Sequence, residues 1–320
     1  MLRKTEIEMR IGQNPAKSIE SVPQPQPVTV ALVSYIPFLS GYYAQALDVL
    51  KACLTSLWES TPGPYDLLVF DNASCAEVRT YLQDAHRQGR IQYLVLSDRN
   101  VGKGGAWNFI FQAAPGETIA YADSDVLFRP GWLERSLEIL KAFPQAGMVT
   151  ARPMRTPEVF YTSTLEWARQ HPDVTLEQGT FLPWETYREH VLSLGTPEEQ
   201  ARQWYASRQD IRLTRQGVSA HVSAAHFQFT APKAALAKFL PFEMDRPMGQ
   251  VRSLDEQMNL AGYLRLTTCE ALVKHLGNSL EAGDAPQGAA SARKRRLSDL
   301  PPVKKALLRI YDEIFKLYYR

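Results

Sequence analysis

Tyr121-Ala122-Asp123-Ser124-Asp125-Val126 places two carboxylates one residue apart, directly after the apolar run Ile119-Ala120-Tyr121. At a strand end, side chains at i and i+2 point the same way, so Asp123 and Asp125 are expected to face one polar object together. Hard divalent cations take oxygen ligands, and Mg²⁺ is commonly held by one or two carboxylates plus substrate phosphates. The pair therefore suits a metal-bridged diphosphate. Asp and Ser also populate ordinary turns, so the weight comes from the surroundings. Ser34, Asp71 and Asn100 each follow a predicted strand as well.

Those strands and the helices between them must set the geometry. Val28 to Ser34 is a short apolar run rich in β-branched residues and reads as a buried strand. Residues 42–59 carry Ala46, Val49, Leu50, Cys53, Leu54 and Leu57 at helical spacing, and Pro62-Gly63-Pro64 ends the pattern. Strands are predicted over 66–70, 91–96 and 117–121, with helices over 75–88 and from the Gly-rich stretch after Asn100 to 114. Alternating strands and helices predict a mostly parallel central sheet flanked by helices. In such sheets ligands bind beyond the carboxyl ends of the strands. Ser34, Asp71, Asn100, Asp123 and Asp125 should therefore gather on one edge.

Composition narrows the function classes. The chain has 320 residues, 45% apolar and 22% charged, with a net charge of +2, which suits a soluble globular protein and not a general nucleic-acid binder. Cys53, Cys75 and Cys269 form no CxxC pair or disulfide framework, so reduced thiols and a cytoplasmic location are expected. The polar start lacks the core of a signal peptide, and no stretch approaches the roughly 20 apolar residues of a spanning helix.

Residues 1–27 read as a flexible arm ending in a Pro/Gln run. A strand is predicted over 147–150. Residues 152–215, rich in Trp, Tyr, Arg and Pro, read as a mainly helical insertion, and Thr196-Pro197-Glu198-Glu199 as a helix start. Strand character resumes over 219–231, a helix covers 254–261, and late strands follow over 264–268 and 270–275. A polar, basic linker is expected over 279–302 and an amphipathic helix over 303–320. That helix suits peripheral contact with an anionic membrane surface; docking on the body or on a second copy in a homodimer suits it equally.

Taken in order, VSYIPF at 33–38, FDNAS at 70–74, RNVGKGGAWN at 99–108, YADSDV at 121–126, SLDEQMN at 253–259 and VKHLGN at 273–278 resemble the GT-A nucleotide-sugar transferases, and most closely family 2 of the glycosyltransferases. The resemblance covers 28–150 strongly and 219–278 more loosely, with 152–215 outside the common pattern. It implies a GT-A domain over 28–278, with the acceptor region in the insertion. It also implies that Asp71 lies against the donor nucleobase with Ser34 and Tyr35 nearby. Asn100 and Lys103 would border the nucleotide pocket. Asp123 and Ser124 would lie at the ribose, with Asp123 also helping to hold a metal. Asp125 would ligate Mn²⁺ or Mg²⁺, His275 would complete the metal site, and Asp255 or Glu256 would be the general base. Many relatives have Glu-Asp where this chain has Asp255-Glu256, and Asp255 is preferred.

The implied reaction moves a sugar from a UDP- or GDP-type donor to an acceptor hydroxyl with inversion. The acceptor could be a glycan, a lipid-linked glycan, a protein or a small molecule. Two other readings share the α/β plan. A sugar-nucleotide nucleotidyltransferase usually carries a Gly-rich, Arg/Lys signature after the first strand, where this chain has Ser34-Tyr35-Ile36-Pro37-Phe38. A non-catalytic nucleotide-sugar-binding protein would not need Asp123, Asp125, Asp255 and His275 together. His221 and His226 are expected to be structural.

Overall fold

The computed structural model describes residues 12–244 and 250–280. The expected linker and C-terminal helix lie almost wholly outside them. The first four strands and three helices alternate as the hydrophobic pattern predicts: β1 (Val28–Ser34), α1 (Ala46–Ser60), β2 (Asp66–Asn72), α2 (Ala76–Arg87), β3 (Tyr93–Ser97), α3 (Gly102–Ala113) and β4 (Thr118–Asp123); a short strand that the pattern did not predict, β5 (Val126–Phe128), follows directly. Then follow α4 (Trp132–Ala142), β6 (Ala146–Thr150), α5 (Thr162–Gln170), β7 (Val174–Gly179), α6 (Trp184–Ser193), α7 (Glu198–Ala206), β8 (Asp210–Arg215), β9 (Val218–Val222) and β10 (Gln228–Pro232). The rest comprises α8 (Lys233–Leu236), α9 (Gln250–Leu260), β11 (Leu264–Thr267) and β12 (Val273–His275).

Ten strands form one sheet in the order β3-β2-β1-β4-β10-β6-β11-β9-β8-β7. β3, β2, β1 and β4 pair in parallel, and β6 pairs in parallel with β11. β10 runs antiparallel between β4 and β6. The sheet is thus mixed but dominated by one strand direction. β5 and β12 form a separate antiparallel pair.

Both faces of the central strands are covered, which is why they read as continuous apolar runs and not as alternation. Val30 and Leu32 face a layer built by Leu50, Leu54 and Leu57 of α1 and by Val78 and Leu82 of α2. Ala31, Leu68 and Phe70 face Trp107, Ile110 and Phe111 of α3 and Leu254 and Met258 of α9. A third cluster joins Ile139 and Phe143 to Leu165, Trp167, Leu213 and Leu266.

The segment 152–215 holds α5, α6 and α7, but it also supplies β7 and β8, which extend the main sheet. β7 is half exposed along its length, so it lacks the apolar run that marks a buried strand. α7 begins at Glu198 with Pro197, not Thr196, at the N-cap position, so no side chain caps it. The strand character expected over 219–231 takes the form of two strands, β9 and β10, separated by residues 223–227. No described helix is long and apolar enough to cross a membrane.

The connection into β4 is tight. Gly116 donates its backbone N–H to Thr29 Oγ1 at 2.9 Å, and a Cβ there would sit 2.7 Å from the Thr29 nitrogen and 2.8 Å from the Pro27 oxygen. Backbone cannot retreat as a flexible side chain can, so overpacking should cost about 1–3 kcal/mol. We predict that Gly116→Ala lowers the urea midpoint accordingly; an unchanged midpoint would show that the β1–β4 junction yields freely.

Candidate active site

The register of the parallel strands assembles one edge. Ser34 lies opposite Asp71, Val33 opposite Asp123, and Asn72 opposite Ser97. The carboxyl ends of β3, β2, β1 and β4 therefore stand side by side. At the β2 end, Asp71 is fully buried. Its Oδ2 accepts from Ser74 N at 3.2 Å and from Arg79 Nε at 3.1 Å, while Oδ1 has no partner. The adjacent Ser34 Oγ is also buried without a partner. Buried polar atoms are rarely left so, and these two lie side by side in the β1–β2 register. Tyr35 is half buried, edge-on to Tyr43 at 6.3 Å.

Asn100 works within the protein. Its Oδ1 accepts from Asn72 Nδ2 at 2.9 Å and from Gly102 N at 2.8 Å, while Asn72 Oδ1 accepts from Val101 N at 2.8 Å. These bonds fasten the start of α3 to the end of β2. Gly102 itself takes φ +71, a conformation that favours glycine. The turn so fixed presents Lys103, whose Nζ bridges Asp123 Oδ1 at 2.7 Å and Oδ2 at 2.8 Å. Tyr121 donates its hydroxyl to Asp123 Oδ1 at 2.5 Å. Burial, reinforced by the Asp123 charge, pushes the Tyr121 phenol well above its usual range, so it remains a donor.

Asp123 closes β4, whereas Asp125 lies in the turn before β5, with Ser124 half buried between them. The strand alternation expected for the pair therefore does not reach Asp125. That carboxylate turns instead to β12. The β5–β12 pairing sets His275 opposite Val126, and His275 Nε2 comes within 3.3 Å of Asp125 Oδ2. Asp125 Oδ1 is buried and unpaired. Ser193 of α6 lies 3.2 Å from the other imidazole nitrogen, Nδ1. Burial disfavours the charged imidazole, but the hydrogen bond and charge of Asp125, aided by Asp123, outweigh it and raise the His275 pKa.

A carboxylate with a free oxygen beside an imidazole is a donor set that divalent transition ions accept. Asp125 and His275 fit such an ion. Asp123 is engaged by Lys103 and Tyr121, and among the described residues no group of three His, Cys, Asp or Glu side chains converges on one point. A bound ion would have to fill its remaining positions with phosphate oxygens and water, as Mg²⁺ and its congeners commonly do.

The two candidate bases on α9 separate cleanly. Asp255 is buried: its Oδ1 accepts from Arg265 Nη2 at 2.5 Å, and its Oδ2 lies 3.2 Å from His226 Nδ1. Arg265 is fully enclosed; burial pulls its pKa down, and the Asp255 charge opposes that. Glu256 lies on the outer face, paired with Arg252 at 2.7 Å. Residues 223–227 link this cluster to the strand edge, since Phe227 O accepts from Asp123 N at 2.8 Å and the Phe227 ring stands edge-on to His275 at 5.7 Å.

A cavity of about 640 Å³ opens beside His275, lined by Arg129, Glu189 and Ser193 together with Lys274 and Asn278. Its α6 wall comes from the 152–215 segment. Behind that wall, buried Arg152 pairs with Glu189 at 2.8 Å and donates to Val273 O at 3.0 Å. His190 stacks on Phe227, and burial, with Arg152 and His275 nearby, drives its pKa down to about 3, so it is neutral. Sequence reasoning did not single out Arg79, Ser193 or Arg265. A lone arginine inside the run Leu264-Arg265-Leu266 is itself a signal of a buried acidic partner.

Fold and strand-edge site together define an α/β protein of GT-A architecture. The sequence profile described as "Glycosyl transferase family 2" matches residues 42–211, more than half of the 320-residue chain. The chain belongs to glycosyl transferase family 2, a family of transferase enzymes. An uncharacterized glycosyltransferase from Nostoc sp. is 26% identical over 100 residues, which is 31% of this chain and 31% of the relative. The chain thus spans about a third of the length of that curated relative. Among solved structures, residues 1–349 of TarS from S. aureus superpose with a TM-score of 0.43 at 11% identity, covering 78% of this chain and 60% of that solved chain. The mannosyltransferase PcManGT from Pyrobaculum calidifontis, solved with GDP-Man and Mn²⁺, gives 0.45 at 16% identity, covering 79% and 58%.

Removing the Asp255 carboxylate strands a buried guanidinium, a change worth about 3–5 kcal/mol. Asp255→Ala should therefore lower the urea midpoint sharply. Glu256→Ala should forfeit no more than the roughly 0.3–0.5 kcal/mol of an exposed i,i+4 pair. Equal midpoints for the two variants would refute the buried role given to Asp255.

Proposed function

We propose that this chain transfers a sugar from a nucleoside-diphosphate donor to an acceptor hydroxyl, assisted by a divalent cation and with inversion at the anomeric carbon. The observation that carries this reading is the Asp125–His275 pair, with one Asp125 oxygen unpaired, on the same strand edge as the unpaired Ser34 and Asp71 oxygens. Asp125 and His275 would hold the ion, and the imidazole favours Mn²⁺ over Mg²⁺. When bound, such an ion offsets the charge that develops on a departing diphosphate without needing a proton. Asp123, Ser124 and Lys103 then border the ribose and phosphates, and Tyr35 lies beside the base. Asn100 contributes by holding the turn that presents Lys103. The cavity beside His275 adjoins this site, with α6 as its wall.

The half-used Asp71 carboxylate supports a choice of base. Only Oδ1 remains to accept a hydrogen bond from a ligand. Uracil offers one imide N–H flanked by carbonyls, which suits one free carboxylate oxygen and a neighbouring serine hydroxyl. Guanine presents two adjacent donors and would leave one unmet, a loss of about 1–3 kcal/mol for a buried donor. A uridine diphosphate donor is therefore the better fit.

Two measurements test these assignments. A ligand that binds only the native state raises the melting temperature, by about 2.7 kcal/mol of stabilisation at a hundredfold excess over Kd. UDP with Mn²⁺ is expected to shift the melting temperature, EDTA to shrink that shift, and Asp125→Ala to abolish its metal-dependent part. A full Mn²⁺-dependent shift in Asp125→Ala would sink the metal assignment. In the same assay UDP should outperform GDP, and Asp71→Asn should weaken UDP about tenfold or more, for a loss of about 1.4 kcal/mol or more. A stronger response to GDP would overturn the choice of base.

A further inference from the structure

The acceptor's proton needs a group that is both basic and reachable. Asp255 meets the first condition only. Its side chain is 8% exposed, one oxygen is taken by Arg265, and the other faces His226. His226 has the complementary properties. Its side chain is 37% exposed, and its Nδ1 lies 3.2 Å from Asp255 Oδ2. An ionised carboxylate only accepts, so in the neutral ring Nδ1 carries the hydrogen and Nε2 carries the lone pair. Nε2 has no partner among the described residues. The next residue, Phe227, touches both arms of the strand-edge site, through Asp123 N and the His275 ring. His226 is thus an outward imidazole on a segment tied to the donor side, with its inner nitrogen oriented by a buried acid that Arg265 fixes in place.

We propose that His226 takes the acceptor's proton and that Asp255 is its positioning residue. The proposal rests on the transferase reading above and changes the role of Asp255 within it. As the acceptor oxygen bonds to the anomeric carbon, its proton passes to His226 Nε2. The bond from that carbon to the phosphate oxygen breaks, and its electron pair leaves with the nucleoside diphosphate. The imidazolium formed stands against the Asp255 carboxylate, as in other acid–imidazole pairs. With water as acceptor the same step yields free sugar and nucleoside diphosphate.

The test uses the full chain with Mn²⁺ and UDP-glucose, UDP-galactose, UDP-N-acetylglucosamine or GDP-mannose. It reads nucleoside diphosphate released to water, beside the melting shift that each donor produces. His226→Ala and His226→Gln are expected to keep the wild-type donor shift and to lose about 100-fold or more in turnover. Added imidazole should restore part of the loss in His226→Ala and none in His226→Gln. Turnover within about threefold of wild type, or a loss that imidazole leaves untouched while donor binding survives, would overturn the proposal. Absence of any donor shift in the wild type is a failure of the transferase reading. The dyad is then decided by long-range ¹H–¹⁵N NMR of the labelled protein, where the Nδ1–H tautomer at His226 is expected and an Nε2–H tautomer rules the dyad out.

Discussion

The register of four parallel strands is the constraint on which the site depends. Ser34, Asp71 and Asp123 are neighbours only because β1 is locked to β2 and β4 at fixed pairings. A slip of one residue would exchange the two faces of a strand and drive Leu32 or Val30 out of the layer under α1 and α2. Apolar packing on both faces thus fixes the polar edge. The opposite dependence does not hold, because the strand-end groups contribute little to the burial that aligns the strands.

Beyond these strands the molecule is fastened by enclosed guanidinium groups. Arg152 joins the end of β6 to α6 and β12. Arg155 reaches Asp210 at 2.6 Å and lies over the Tyr205 ring at 4.4 Å, tying the segment after β6 to the start of β8. Arg265 joins β11 to Asp255 and to the carbonyls of Phe160 and Ala224. A planar fork with five donors can satisfy several carbonyls and an acid at once, which a lysine cannot do. Three such residues hold the 152–215 segment and α9 to the sheet, where purely apolar contact would fix orientation less tightly.

What the sequence disclosed follows from how each signal is written. β1, β2 and β4 are buried on both faces and announce themselves as apolar runs. β7 and β8 do not, because β7 is a half-exposed edge and β8 alternates only in part. The strand-end residues Ser34, Asp71 and Asp123 were legible from position alone. The meeting of Asp125 with His275 joins residues far apart in the chain through a three-residue strand, and only resemblance to a family pointed to it. Asn100 drew notice for its place beside the glycines, yet its side chain is spent on Asn72 and the α3 terminus. Arg265 was passed over and His226 was read as structural, because a lone charged or imidazole side chain has no periodicity to betray its partner.

Ser193 and Glu189 give α6 a significance beyond its own packing. One turn of that helix reaches both His275 Nδ1 and Lys274, consecutive residues of β12, while the same helix walls the adjoining cavity. The 152–215 segment is therefore not an interchangeable module laid over a finished scaffold. Grafting it out, or replacing it with a loop from another protein, would reset the orientation of an imidazole at the far side of the cavity. Divergence in the shape of that wall and in the setting of His275 must then proceed together, because one short helix answers to both.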